Sequence, residues 1–229
     1  VQSGNYPAGI KQLQSLYGSL IKHKEDRDLA GYVKFRYMTA NYFLSMSVSD
    51  PPAGHFMKVQ TEWLEQLEQF VKEFPNIDDA AEAMLQLAYA REMGGEEDEA
   101  LKWYGRIEKD FPQSRVTKKA AGARTRLDSV GKKLTLTGQS PSGQTIDLTK
   151  YQGKVVLIQY WATWSERCKI DMPTLKDLAS RYGKKGFSIV GVNLDSNAQE
   201  MADYVKEYEV PWPQIYEEGG LDSRPANAL

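Results

Sequence analysis

The chain holds one cysteine, Cys168, and two histidines, His23 and His55. A lone thiol excludes an internal disulfide and any thiolate cage for a metal. The histidines fall in separate helical stretches of the N-terminal half. They read as solvated or capping residues, because a metal site needs several ligands converging, and neither a metal nor a cofactor is expected. The remaining chemistry is concentrated in one run, Tyr160-Trp161-Ala162-Thr163-Trp164-Ser165-Glu166-Arg167-Cys168, which follows a buried-strand pattern and opens a helix. Ser165 is well placed as a helix N-cap, its oxygen accepting from an N–H two or three residues on. Cys168 has two readings: an inert, partly buried thiol, or a single-thiol site that forms a mixed disulfide with a partner or a low-molecular-weight thiol.

The elements that must position this run are read from hydrophobic periodicity. With 229 residues, 41% of them hydrophobic and 26% charged, the chain has room for two ordinary domains, each with a real core. Its net charge of -2 gives no electrostatic reason to expect nucleic acid or an anionic membrane as partner. No apolar stretch approaches the roughly 18–20 residues of a spanning helix. The opening residues, Val1-Gln2-Ser3-Gly4-Asn5-Tyr6-Pro7, lack an initiator Met and the basic and apolar regions of a signal peptide. The simplest expectation is a processed or trimmed chain, so export cannot be read from this end.

Character changes near residue 131, which sets expected domains of 1–131 and 132–229. Before it, apolar residues recur at helical spacing, and 8–23, 28–47, 56–73, 78–93, 96–110 and 114–130 read as amphipathic helices. In the third, Trp63, Leu64, Leu67, Phe70, Val71 and Phe74 line one face. Breaks fall at Asp50-Pro51-Pro52, Pro75-Asn76 and Gly94-Gly95. Lys72-Glu73-Phe74-Pro75 recurs as Lys109-Asp110-Phe111-Pro112, a period of 37 residues, in the range of stacked helix pairs. The stretch 84–112 resembles a tetratricopeptide repeat, with Ala88 and Ala100 where paired helices approach, Tyr104 at the aromatic position and Pro112 as the stop. A looser copy spans 32–75, with an insertion around 48–55, and helices 8–23 and 114–130 would cap the stack. The alternative is a plain helical bundle with core stripes.

After Gly131 the period becomes that of strands. Leu134-Thr135-Leu136-Thr137 alternates, Ser140-Pro141-Ser142-Gly143 is a turn, and Thr145-Ile146-Asp147-Leu148 returns as the second arm of a hairpin. Val155-Val156-Leu157-Ile158 and Phe187-Ser188-Ile189-Val190-Gly191-Val192 read as strands buried on both faces. Helices are expected over 165–183 and 197–208, and the strand–helix–strand order implies a parallel pair with a right-handed crossover.

Over roughly 134–229 the chain resembles the thioredoxin superfamily, specifically its TlpA-like (AhpC/TSA-related), envelope-facing thiol-disulfide oxidoreductases. The resemblance rests on Trp161-Ala162-Thr163-Trp164, on Cys168 where the redox motif ends, on Pro173 at the family's helix kink, on the 134–148 hairpin and on Gly153-Lys154-Val155-Val156. It implies an α/β thioredoxin-like fold after an all-α repeat domain, bacterial, periplasmic or otherwise extracytoplasmic. Its partners would be protein thiols and disulfides or an envelope redox partner, with a protein or peptide gripped by the helices. In the family a Cys-x-x-Cys sits at a helix N-terminus, where orphan N–H groups and the helix dipole favour a thiolate.

This chain departs at the first cysteine, whose place Ser165 takes, leaving Cys168 at the resolving position. A serine hydroxyl stays protonated at neutral pH without a dedicated base and cannot form a disulfide, so dithiol turnover is expected to be absent. Serine there is either native or a near-isosteric exchange for cysteine. Gln159, six residues before Ser165, stands where thioredoxins proper carry a proton-relaying Asp, and an amide cannot relay; envelope relatives often have an amide too. Trp161 and Trp164 are expected to pack around the site, with Glu166 and Arg167 between Ser165 and Cys168.

Asn193-Leu194-Asp195, Pro211-Trp212-Pro213-Gln214-Ile215-Tyr216 and Gly219-Gly220-Leu221-Asp222-Ser223 also match the envelope branch. The family pattern continues into a cis-proline loop, two antiparallel strands and a helix. None of Pro211, Pro213 and Pro225 has the context of that cis-proline. The resemblance therefore implies a truncated thioredoxin fold with 155–160 as an open apolar edge, covered in a longer gene product or by another chain. Two functions compete: an oxidoreductase in a Ser165 form, or a non-catalytic binding module on helical repeats and a thioredoxin platform. A peroxide-reducing relative would want Pro-x-x-x-Thr-x-x-Cys, which the run ending at Cys168 does not supply.

Overall fold

A computed structural model describes residues 6–229. The expectation about the opening stretch lies outside the described residues except for Tyr6 and Pro7, which begin a helix. The chain forms two compact units that divide between Ala120 and Ala121.

The first unit is helical: α1 (Tyr6–Leu20), α2 (Arg27–Met46), α3 (His55–Glu73), α4 (Asp78–Met93), α5 (Glu97–Asp110) and α6 (Thr117–Leu127), the last crossing the division. In the run from α1 to α5, consecutive helices pack on one another. In α3 the buried stripe is Trp63, Leu67, Phe70 and Val71, the spacing that places side chains on one helical face. Leu64 is half-buried beside it. Helix α4 is buried nearly all round, through Ala80, Ala81, Ala83, Met84, Leu85, Leu87 and Ala88. Its small side chains let α3 and α5 approach from two directions, and Ala88 and Ala100 are fully buried. Tyr104 is fully buried too, and its hydroxyl donates to Glu92 Oε2 at 2.8 Å.

Both Phe-Pro runs end their helices in the same way. Phe74 N–H donates to Phe70 O at 2.8 Å with φ -126 and ψ 61, and Phe111 N–H to Ile107 O at 2.9 Å with φ -133 and ψ 55. The prolines that follow dictate this, because a residue before proline is driven out of the helical region. Between α4 and α5, Gly95 takes φ 76, a left-handed conformation that glycine adopts without steric cost.

At the end of α3, Glu73 gathers three elements. Its carboxylate accepts from Tyr17 Oη at 2.9 Å and pairs with Lys34 Nζ, and its backbone carbonyl accepts from Arg27 at 2.8 Å. Burial pushes the Glu73 carboxyl up, but the hydrogen bonds from Lys34 and Tyr17 outweigh it and hold the pKa below the ordinary value. Burial and then Glu73 itself push Tyr17 up to about 12.

The second unit takes the end of α6 and everything after it. Gly122 packs so closely on the Asn227 backbone that a side-chain carbon there would collide with it, which explains why the unit begins before the compositional change at Gly131. Strands β1 (Thr137–Gln139) and β2 (Thr145–Asp147) form an antiparallel hairpin with Gly138 opposite Ile146. Its turn closes through Gly143 N–H to Ser140 O at 2.8 Å. The first arm thus starts three residues later than expected at 134, although the alternation of buried and exposed side chains does begin there. Leu136 adds only one bond, its carbonyl accepting from Leu148 N at 3.0 Å.

Strands β3 (Val155–Trp161), β4 (Phe187–Asn193) and β5 (Gln214–Ile215) form a parallel sheet in that order, with Val155 opposite Phe187, Trp161 opposite Asn193 and Val192 opposite Ile215. Helices α7 (Glu166–Tyr182) and α8 (Ala198–Glu207) make the two crossovers. Both step the same way across the sheet, so right-handedness puts both on one face. There Trp161, Met172, Ile189, Met201, Tyr204 and Trp212 form one core. The opposite face packs Val190, Val192 and Ile215 on Leu136 and Ile146.

Burial on both faces holds for β4 but fails for the start of β3. Val155 is 70% exposed, and Val156, Leu157 and Ile158 are only half-buried. The reason is position: among the described residues β3 pairs with β4 alone, which leaves its outer edge without a strand neighbour. No peptide bond among the described residues is cis, those before Pro211, Pro213 and Pro225 included.

Replacing Glu73→Gln tests the helical junction. Because the folded carboxyl is depressed, its stabilisation is present above the unfolded value and is lost as pH falls through the folded one. The expected outcome in urea unfolding is a loss of about 1–2 kcal/mol at pH 7 that shrinks as the pH falls below the ordinary carboxylate range.

Candidate functional site

The site forms where β3 ends and α7 begins. The loop from Ala162 to Trp164 joins them, and Ser165 N–H donates back to Ala162 O at 3.2 Å. Ser165 is the N-cap of α7, with φ -92 and ψ 104, and its Oγ accepts from Cys168 N at 3.4 Å. Ser165 O accepts from Lys169 N at 3.2 Å, the first bond of the helix. Ser165 therefore faces N–H groups that have no partner within the helix.

Cys168 lies one turn in, half-buried and unbridged, its Sγ 4.0 Å from Tyr160 O. Glu166 and Arg167 both project outward. Glu166 pairs with Lys169 at 2.7 Å and Arg167 with Asp171 at 3.4 Å. The hydrogen bond to Glu166 raises the Lys169 pKa. Pro173 sits inside α7, where the missing N–H leaves the carbonyl of Lys169 without its helical donor.

Trp161 and Trp164 part company. Trp161 is 1% exposed, with its ring centroid 5.3 Å from that of Tyr204, and its Nε1 donates to Gln214 Oε1 at 2.8 Å. Trp164, expected to pack around the site, is instead 60% exposed. The inward place in the loop is taken by Thr163, whose N–H and hydroxyl both bind Asp195. Gln159 is buried on β3 and its Oε1 has no hydrogen-bond partner among the described residues, which costs about 1–3 kcal/mol unless water reaches it.

Four residues of this site, Thr163, Asn193, Asp195 and Gln214, fall in runs that match the family but carry no site role in the sequence reading. Asp195 is fully buried and accepts from Thr163 N at 3.0 and 3.2 Å, from Thr163 Oγ1 at 2.9 Å and from Asn193 Nδ2 at 2.7 Å. The one available signal was the pair of short polar side chains in Asn193-Leu194-Asp195, straight after a buried apolar strand. Gln214 reaches Trp161 across Gly191, where any side chain would collide with the Gln214 amide.

His23 and His55 lie apart from this site. His23 is exposed beside Glu25, and His55 Nε2 is 2.8 Å from Ser45 O. Among the described residues no three His, Cys, Asp or Glu side chains gather as a metal site. Among the described residues no helix is long and apolar enough to cross a membrane.

The strand, the loop of three residues and the helix capped by a Ser-x-x-Cys turn all lie within residues 126–222, which the Redoxin family model matches. The chain is similar to the thiol-disulfide oxidoreductase ResA of Oceanobacillus iheyensis, 36% identical over 76 residues that make up 33% of this chain and 40% of that protein. It is also similar to ResA of Bacillus thuringiensis subsp. konkukian, 31% identical over 78 residues, 34% of this chain and 45% of that one. The chain thus spans less than half the length of these curated relatives. Among solved structures it is similar to the thioredoxin domain of a thiol-disulfide oxidoreductase from Bacteroides vulgatus, at 27% identity and a TM-score of 0.34, over 36% of this chain and 59% of that one. Over part of its length the chain is thus similar to thiol-disulfide oxidoreductases, and its residues 126–222 match the Redoxin family.

The capping role of Ser165 can be weighed alone. Its bond to Cys168 N is long, so Ser165→Ala should cost about 0.5–1 kcal/mol, at the low end for a lost cap, while Ser165→Asp should stay within a few tenths of the parent. Denaturant unfolding followed by Trp fluorescence reads both.

Proposed function

We propose that this chain is a thiol-disulfide oxidoreductase of the TlpA-like branch that stands in a Ser-x-x-Cys form and does not turn over. The observation that carries this reading is Ser165 at the N-cap of α7 with Cys168 one turn behind it. A sulfur at position 165 would meet the N–H of Cys168 and the positive end of the helix, which favour its thiolate. That thiolate would attack one sulfur of a substrate disulfide, forming a mixed disulfide and expelling the other sulfur as a thiolate. The Cys168 thiol, on losing its proton, would then attack the position-165 sulfur and release the substrate as a dithiol, so that two electrons pass to the substrate and the pair is oxidised. With oxygen at 165 the first bond cannot form. Cys168 alone can make a mixed disulfide but has no neighbour to resolve it.

The partners on this reading are protein thiols and disulfides in an extracytoplasmic compartment, both taken from the family resemblance. The helical unit serves as a tetratricopeptide-like adaptor. Support comes from consecutive packing of α2 through α5, from the buried Ala88 and Ala100, and from the matching terminations at Phe74 and Phe111. Those same features favour a second reading, in which the chain is a non-catalytic module that grips a protein or peptide.

Placing Ser165→Cys in the full chain separates the two. The expected outcome is catalytic reduction of insulin disulfides in the presence of dithiothreitol, at least tenfold above the unaltered chain. A folded Ser165→Cys protein that reduces no faster than its parent would leave the binding module as the function.

A further inference from the structure

We infer that Asp195 is the positioning residue of the redox site, acting through Thr163 to hold the group at position 165 against the N-terminus of α7. The inference rests on the oxidoreductase reading of that site. Asp195 follows the end of β4 and is fully buried, yet the hydrogen bonds its carboxylate accepts among the described residues come from neutral donors: Thr163 N, Thr163 Oγ1 and Asn193 Nδ2. A buried carboxylate is costly unless its lone pairs are met by hydrogen bonds, and here most of them are spent on one loop residue. Asn193 in turn is held by the Asp195 backbone, whose N–H donates to Asn193 Oδ1 at 3.1 Å. Leu194 N–H donates to Trp161 O at 2.8 Å, which extends the β3–β4 ladder to the edge of the loop.

Thr163 stands two residues before Ser165, and the loop closes on itself through Ser165 N–H to Ala162 O. Both of its ends are therefore fixed, one by the sheet and one by the carboxylate. A thiolate at 165 gains from the α7 N–H groups only while it is held in front of them, so loosening Thr163 should raise its pKa. The charge of Asp195 by itself would have the opposite effect. A nearby carboxylate disfavours a thiolate, so removing the charge alone should lower the pKa. The two roles thus move one observable in opposite directions. The charged groups at the start of α7, Glu166 paired with Lys169 and Arg167 paired with Asp171, those further along it, Lys176 and the Asp177–Arg181 pair, and the buried Tyr204 of α8 stay the same in every comparison.

The experiment uses the full chain with Ser165→Cys and Cys168→Ala, which leaves one thiol at the loop–helix junction, and follows its alkylation by iodoacetamide against pH. Adding Asp195→Ala should move the midpoint upward by about one unit and slow alkylation near neutral pH about tenfold. Adding instead Asn193→Asp with Asp195→Asn exchanges the two groups. An amide oxygen can still accept from Thr163 N–H and Oγ1, and the amide NH2 can donate to the new carboxylate at 193, so only the longer 3.2 Å bond from Thr163 N is lost. The rate should return to within about twofold of the parent. Thr163→Val removes the hydroxyl bond alone and should shift the midpoint the same way by less, which keeps the inference testable should Asp195→Ala not fold. A midpoint that falls or stays put on loss of the carboxylate or the hydroxyl, or an exchanged pair that folds without recovering, overturns it. Alkylation needs no turnover. A failure here beside an active Ser165→Cys enzyme would remove the positioning role and leave the oxidoreductase reading, and the reverse result would do the opposite.

Discussion

The first turn of α7 leaves N–H groups without helical partners, and the atom at position 165 is the one that meets them. The chemistry of this unit depends on that contact and on its being held. An oxygen there makes a cap. A sulfur in the same place would make an anion that attacks disulfides. On the proposed reading, the exchange of one atom type at this position would change the reactivity of the unit.

On the positioning role inferred for Asp195, it is the sheet that would hold that contact. Strand β4 is buried on both faces and so has little freedom, and the Asn193–Asp195 turn carries its rigidity to Thr163 through hydrogen bonds of 2.7–3.1 Å. Trp161, locked by Gln214 and by Tyr204, fixes the other end of the loop. Strand β3 is less constrained, since one edge is open and Val155 is largely exposed. An edge of this kind invites pairing by another strand. In the helical unit the corresponding constraint is steric. The alanines of α4 and the fully buried Tyr104 set how closely the helices pack, and Glu73 joins the end of α3 to α1 and α2.

Much of this was legible in the residues. The stripe of Trp63, Leu67, Phe70 and Val71 and the apolar run Phe187 to Val192 show their period directly, and the observed elements lie within a few residues of those expected. Ser165 was readable as a cap because capping is local. What sequence could not show was tertiary. The exposure of Val155 depends on how many neighbours β3 has, and that of Trp164 on Thr163 taking the inward place. The unpartnered Oε1 of Gln159 is known only once its surroundings are. Likewise Thr163 meets Asp195, and Trp161 meets Gln214, across dozens of residues, so no periodicity announces them.

The central claim is that a chain with oxygen at 165 and sulfur at 168 can hold a substrate but cannot release it reduced. Intact-mass spectrometry of the unaltered protein, incubated with a disulfide-bonded substrate and a limiting thiol reductant, measures this directly. The account predicts at most one covalent adduct per chain, located on Cys168, with substrate reduced no faster than by the reductant alone. Many substrate disulfides reduced per chain, with Ser165 verified in the same sample, would contradict it.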